Sequence, residues 1–209
     1  MTDAYRTVAG RASAQFEVRG SEFIGYVSPA DGVDAAEAFV AEIEAKHPDA
    51  THNVPAYRVP AGPVSASPPG DVMLREYQSD DGEPTGSSGK PALNVLVQRD
   101  IRNVVAVVTR YYGGTNLGVG GLARSYSRAV KEAVDAAGVV EELPHETCSL
   151  EVEYDDSGTV RGILESAGVE FDAEYEESVS FEVRVAVNEA DELRERLRNA
   201  TSGRVEIGE

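Results

Sequence analysis

The chain has 209 residues, 41% of them hydrophobic, and carries 37 acidic against 19 basic side chains, a net charge of −18. That is enough apolar content for a folded protein and too much for a disordered one. No apolar stretch approaches the ~18 residues of a membrane span, and the one cysteine, Cys148, excludes an intrachain disulfide and a cysteine-based metal centre. The N-terminus has no charged segment leading into an apolar one, so a cytoplasmic protein is expected. The bases are 16 Arg and only 3 Lys. An acidic, Lys-poor surface fits concentrated salt, where repulsion is screened within ~3 Å at 1 M, and a halophilic protein is expected; the rival reading is ordinary solubility from net charge.

Hydrophobic periodicity predicts the elements in order. Short strands are expected at 13–20 and 22–28. A helix over 33–47 places Val33, Ala36, Phe39, Val40 and Ile43 on one face. The alternating segment 52–60 predicts a strand, 60–71 a Pro/Gly/Ser loop and 72–80 a strand. Residues 90–100 predict a short helix with Pro91 tolerated in its first turn. The β-branched run NVVAVVTRYY, 103–112, predicts a central strand buried on both faces. A helix with Gly-rich first turns follows over 117–138, closed by Gly138. Pro144 breaks the chain in VEELPHE, 140–146. Beyond it, strand 147–155, helix 157–168, strands 169–176 and 178–187, helix 188–200 and strand 203–208 give the ferredoxin-like order βαββαβ. The expected class is α+β, with domains at 1–140 and 145–209.

The acid is uneven. Residues 1–98 carry 7 basic and 14 acidic residues, 99–140 carry 6 and 3, and 141–209 carry 6 and 20. The one basic island holds VVTRYYGGTNLGVGGLARSY, with five glycines (Gly113, Gly114, Gly118, Gly120 and Gly121) at a helix start. Free backbone N–H groups there attract anions. Arg110, Arg124 and Arg128 add planar cationic donors, Tyr111 and Tyr112 offer stacking faces, and Asn116 adds a polar group. Together they suit a phosphate, a carboxylate or a nucleotide. The plainer reading is that the glycines permit a tight strand-to-helix crossing while Arg110 pairs with an acid such as Asp80 or Asp81. The two readings are compatible.

Other motifs fail on context. Gly118, Gly120, Ala123 and Glu141 spell a dinucleotide fingerprint, but eight residues, 110–117, separate it from the strand end. GEPTGSSGKP has Pro84 where a P-loop needs glycine and Pro91 where it needs Ser or Thr. Ser87 or Ser88 with His52 and Asp80 form a conceivable triad, though Ser and Gly more commonly make a turn. Asp80, Asp81 and Glu83 form either a hard-cation site or an Asp/Gly-rich turn, and the turn is the commoner outcome. No metal and no cofactor are expected.

HNVPAYR (52–58), SDDGEPTGSSGKPAL (79–93) and VVTRYYGGTNLGVGGLARSYSRA (107–129), with SEFIGYV (21–27) before them, resemble the successive signatures of the IMPACT family. The resemblance spans 21 to about 137, and the acidic tail resembles the smaller C-terminal domain of prokaryotic members. It implies an N-terminal α+β fold like a ribosomal-protein domain and domain IV of elongation factor G, with a C-terminal part like domain V. Eukaryotic relatives regulate translation under stress by competing for an activator, using an additional RWD domain that this chain lacks; nucleic-acid or ribosome binding is the usual proposal for prokaryotic members. Two departures stand out: Asn116 occupies a common lysine position, and Val54 a cysteine position. The expectation is a non-enzymatic protein contacting RNA or the ribosome, in translation or stress regulation, through Arg110, Tyr111, Tyr112, Arg124, Arg128 and the glycines. His52, Asp80, Asp81, Glu83, Gly86 and Lys90 would order that site. The alternative is a hydrolase using His52, Asp80, Asp81 and Glu83.

Overall fold

The computed structural model describes residues 4–62 and 72–208, and the chain divides between Glu142 and Leu143 into two units. The first comprises Tyr5–Gly62 and Met73–Glu142. Its elements are β1 (Tyr5–Val8), β2 (Ala12–Val18), β3 (Ser21–Pro29), α1 (Val33–Lys46), β4 (His52–Pro60), β5 (Leu74–Gln78), α2 (Gly89–Gln98), β6 (Val104–Tyr111), α3 (Gly118–Ala137) and β7 (Val139–Glu142). The expected loop at 60–71 falls largely outside the described residues.

β6 is the middle of a five-stranded sheet ordered β2-β3-β6-β4-β5, every pair antiparallel. Both of its faces are covered, as the unbroken apolar run implies. Val104, Ala106 and Val108 pack with Ala92 and Leu96 of α2 and with Leu122, Tyr126, Ala129 and Val130 of α3. Val105 and Val107 pack with Ala36, Phe39 and Ile43 of α1. Antiparallel strands usually alternate because one face meets water; this one does not, because helices sit on either side. α3 approaches the sheet closely. A Cβ at Gly25 of β3 would lie 2.3 Å from the Ala129 carbonyl oxygen, so the crossing requires a bare backbone there.

β2 and β3 are joined through Arg19 and Gly20, both at positive φ (50° and 83°), as a two-residue type I′ hairpin turn demands. The pair β1–β7, in register Tyr5↔Glu142 to Val8↔Val139, is an addition to the expected elements. Each strand has four residues, too short for a period to show.

The second unit, from Leu143 onward, contains β8 (His145–Val152), α4 (Tyr154–Ala167), β9 (Glu170–Tyr175), β10 (Val179–Ala186), α5 (Val187–Ala200) and β11 (Glu206–Gly208). The βαββαβ order is the expected one. Its four-stranded antiparallel sheet runs β11-β8-β10-β9. β8 and β10 alternate between buried and more exposed residues up to the adjacent buried pair Val185 and Ala186 that ends β10, and one face closes on Val160 and Leu164 of α4 and Leu193 and Leu197 of α5. The fold is α+β in both units.

Candidate functional site

Arg110 lies near the end of β6, with Phe23 of β3 on one side and His52 of β4 on the other. It is 4% exposed. Its Nη1 donates to Glu83 Oε1 at 2.5 Å and its Nη2 to Ser21 Oγ at 3.3 Å. The guanidinium lies 5.4 Å from the Phe23 ring centroid and 5.3 Å from that of Tyr112. Glu83, 8% exposed, also accepts from the Tyr126 hydroxyl at 2.8 Å. Burial, then the Glu83 charge, pushes the Tyr126 hydroxyl above its ordinary value, so it stays a protonated donor. Arg110 therefore pairs with Glu83 and not with Asp80 or Asp81, the acids named from the sequence, which are taken up by backbone amides.

Turn geometry decides which acid reaches inward. Asp81 and Gly82 both hold positive φ (45° and 81°), reversing the chain so that Glu83 points into the core. Asp80 turns the other way, onto the loop before α2. Its carboxylate accepts from the amides of Gly86 (2.7 Å), Ser88 (3.1 Å) and Gly89 (2.9 Å) and from the Ser88 hydroxyl (2.6 Å). Burial works against its charge, yet the Ser88 hydroxyl and the Gly86, Gly89 and Ser88 amides outweigh it and hold the carboxyl below its usual range. Asp81 Oδ2 accepts from the Asn53 amide at 2.6 Å. His52 Nδ1 lies 2.5 Å from the Asp81 carbonyl oxygen, which can only accept, so Nδ1 carries a proton. His52 Nε2 is 3.9 Å from Glu83 Oε1. His52, Asp80, Asp81, Glu83 and Gly86 thus form one bonded assembly, while Lys90 is exposed. Among the described residues no group of three or more His, Cys, Asp or Glu is placed to hold a metal ion.

The two tyrosines separate. Tyr111 is half-buried, and its hydroxyl lies 2.8 Å from His47 Nδ1, whose Nε2 lies 2.7 Å from the Tyr26 hydroxyl. Burial, then the Lys46 charge, lowers the His47 pKa. Tyr112 is 45% exposed, with its hydroxyl on Asn116 Oδ1 at 3.1 Å and its amide on Thr51 Oγ1 at 2.9 Å. From Tyr112 to Asn116 and from Gly118 to Gly120 the chain is open to solvent, and Gly121 is half-buried.

Gly113 is the sterically obligatory glycine of this loop: a Cβ there would lie 1.9 Å from the Gly20 carbonyl carbon and oxygen. Gly114 and Gly118 hold positive φ (82° and 71°), whereas a Cβ at Gly120 would meet only Arg124 Nη1 at 3.4 Å. α3 begins without a side-chain cap or an acid in its first turn, which leaves amide donors uncovered. Arg124 is exposed and has no ion pair among the described residues; Arg128 is exposed, bonded to Glu132 at 2.7 Å and 4.0 Å over the Phe16 ring. Ser88, considered from the sequence as a triad member or a turn residue, bonds Asp80, while Ser21 and Tyr126 are structural members that sequence reasoning missed. They are ordinary residues made important by distant partners.

The sequence profile of the Impact N-terminal domain matches residues 19–134. The chain belongs to the IMPACT family. A second profile, of a domain of unknown function (DUF1949), matches 150–204. IMPACT family member YvyE of Bacillus subtilis strain 168 is 33% identical over 210 residues, covering 100% of this chain and 92% of its own. IMPACT family member YigZ of Escherichia coli K12 is 32% identical over 192 residues, covering 91% and 90%. A crystal structure of a hypothetical protein superposes with a TM-score of 0.69 at 30% identity, covering 100% of this chain and 98% of its own. The profile match encloses both the Arg110–Glu83 assembly and the glycine-rich loop.

Proposed function

We propose that this IMPACT family protein binds nucleic acid, as RNA or on the ribosome, through the exposed loop from Tyr112 to Gly120 and the opening of α3, and that it serves translation or its regulation under stress. The observation that carries the reading is an uncapped helix start, free of acids, behind a solvent-open glycine loop. Tyr112 and Arg124, which has no ion pair among the described residues, flank it, in a chain otherwise dominated by acid. Exposed amides and an arginine suit phosphate oxygens, and an exposed tyrosine suits a base. The Arg110–Glu83–Tyr126 assembly underneath is the rigid base that sets the loop, not the contact surface. Pre-formed sites of this kind bind without first paying to order a loop.

The hydrolase reading has less support. Asp80 and Asp81 are engaged by backbone amides and Glu83 by Arg110 and Tyr126, so each carboxylate already has a structural task. Fluorescence anisotropy with labelled single-stranded RNA tests the proposal. Wild type should bind, while Arg124→Ala should bind more weakly with an unchanged unfolding midpoint and Tyr112→Ala should bind more weakly while still unfolding cooperatively. Absence of RNA binding at every salt concentration, together with turnover of an ester, amide or phosphate, would hand the site to the hydrolase.

A further inference from the structure

A groove of about 920 Å³ runs between α2 and α3. Arg124, Arg128 and Lys131 line it at i, i+4 and i+7 of α3, so they share one helix face. Arg99, directly after α2, lines the facing side. Two acids, Glu132 and Asp135, line it as well. Its walls are stitched together by the Ser127 hydroxyl, which donates to the Pro91 carbonyl oxygen at 3.1 Å.

We infer that this groove is a track for the sugar–phosphate backbone of the nucleic acid whose bases stack at the loop, with Arg99 and Lys131 as binding residues beyond the loop itself. The inference rests on the binding function proposed above. Charge favours this occupant: four cations converge here in a chain of net charge −18. The lining favours it too. Asn94 and Gln98 supply hydrogen-bonding groups, and among the described residues no aromatic side chain lines the groove to act as the kind of anchor that dominates protein interfaces. The acids do not close the site. Arg99 is bonded to Asp135 at 2.6 Å and Arg128 to Glu132 at 2.7 Å, but the Asp135 side chain is 55% exposed and the Arg128 side chain 50%. Solvent-exposed pairs of this kind are weak, so a phosphate oxygen can take the place of the carboxylate. Arg124 sits where loop and groove meet and gives the strand a continuous path from one to the other.

The test is a salt series of anisotropy titrations on the full chain with labelled single-stranded RNA, using wild type, Arg99→Gln, Lys131→Gln, Asp135→Asn and the loop variant Tyr112→Ala. Arg99→Gln and Lys131→Gln should each weaken binding at low salt and reduce the log–log salt slope by about 0.7. Asp135→Asn should strengthen binding, because it frees Arg99 and removes a negative charge from the path; simple loss of folding cannot produce such a gain. If Tyr112→Ala weakens binding while all three groove variants match wild type, the track is refuted and the loop site survives. No RNA binding by wild type at any salt refutes both. Binding of polyglutamate in place of RNA would make the groove an acidic-peptide site and overturn the inference.

Discussion

Arg110 shows how little a residue's charge says about its task until its partners are known. In sequence it is a cation at the mouth of a glycine loop; in the fold it is an internal strut, clamped by Glu83 and Ser21 between the rings of Phe23 and Tyr112. Removing one member of a buried pair leaves the other charge unsatisfied, at a cost of about 3–5 kcal/mol. Arg110→Ala should therefore lower the denaturant unfolding midpoint sharply, and any loss of binding should follow from that. A wild-type midpoint would contradict the strut. Asp80 makes a pH-dependent contribution. Its folded-state carboxyl titrates below its ordinary value, so the stability it adds is present above the unfolded value of 3.8 and is lost as pH falls through the folded one. Acid unfolding of Asp80→Asn, followed by circular dichroism, should lack that portion of the pH dependence. That Arg110 would meet an acid was legible, but the acids named from the sequence, Asp80 and Asp81, are not the one it meets. Which acid it would be was not legible, because three carboxylates within four residues are equivalent on paper and only the positive-φ turn at Asp81 and Gly82 distinguishes them. Tyr111 and Tyr112 were equally indistinguishable, since the partner that withdraws Tyr111, His47, lies 64 residues earlier.

At the level of elements, β6 and α3 were the most legible, because an unbroken β-branched run and a 20-residue amphipathic pattern each admit few structures. β1 and β7 were illegible for the opposite reason: four residues carry no period, and their pairing is decided by tertiary proximity. The glycines divide along the same line. Composition marks the cluster at 113–121, but only the fold shows which members are forced. Gly113→Ala and Gly25→Ala would each drive a Cβ into backbone, and overpacking of this kind costs about 1–3 kcal/mol. Gly120→Ala, with open space and a helical position, should instead be neutral or stabilising by up to about 1 kcal/mol. Thermal unfolding of the three variants checks this; a Gly120→Ala loss as large as that of Gly113→Ala would contradict the geometry.

Across the whole molecule, each unit closes on its own buried apolar residues, the first on both faces of its sheet and the second on one, and charge is spread unevenly along the chain. Residues 141–209 hold 20 acids against 6 bases, whereas 99–140 hold 6 bases against 3 acids. Residues 1–142 should fold alone with a cooperative transition and retain RNA binding, since each unit closes its own core; an insoluble fragment would contradict that independence. Self-repulsion among 37 acids weakens as salt screens it, so the intact chain should unfold at a higher temperature in molar salt than in dilute buffer. The same surface repels nucleic acid at low salt, and screening removes both that repulsion and the attraction of the groove. Binding that survives such conditions has to rest on stacking and on directional arginine hydrogen bonds. The most direct measurement is the affinity of wild type and Tyr112→Ala for single-stranded RNA across a salt series. The binding account predicts a shallow slope, equivalent to about two to three phosphates, and a loss of about 1–3 kcal/mol on removing the Tyr112 ring. A steep slope that Tyr112→Ala leaves untouched, or no RNA binding at any salt, would contradict it.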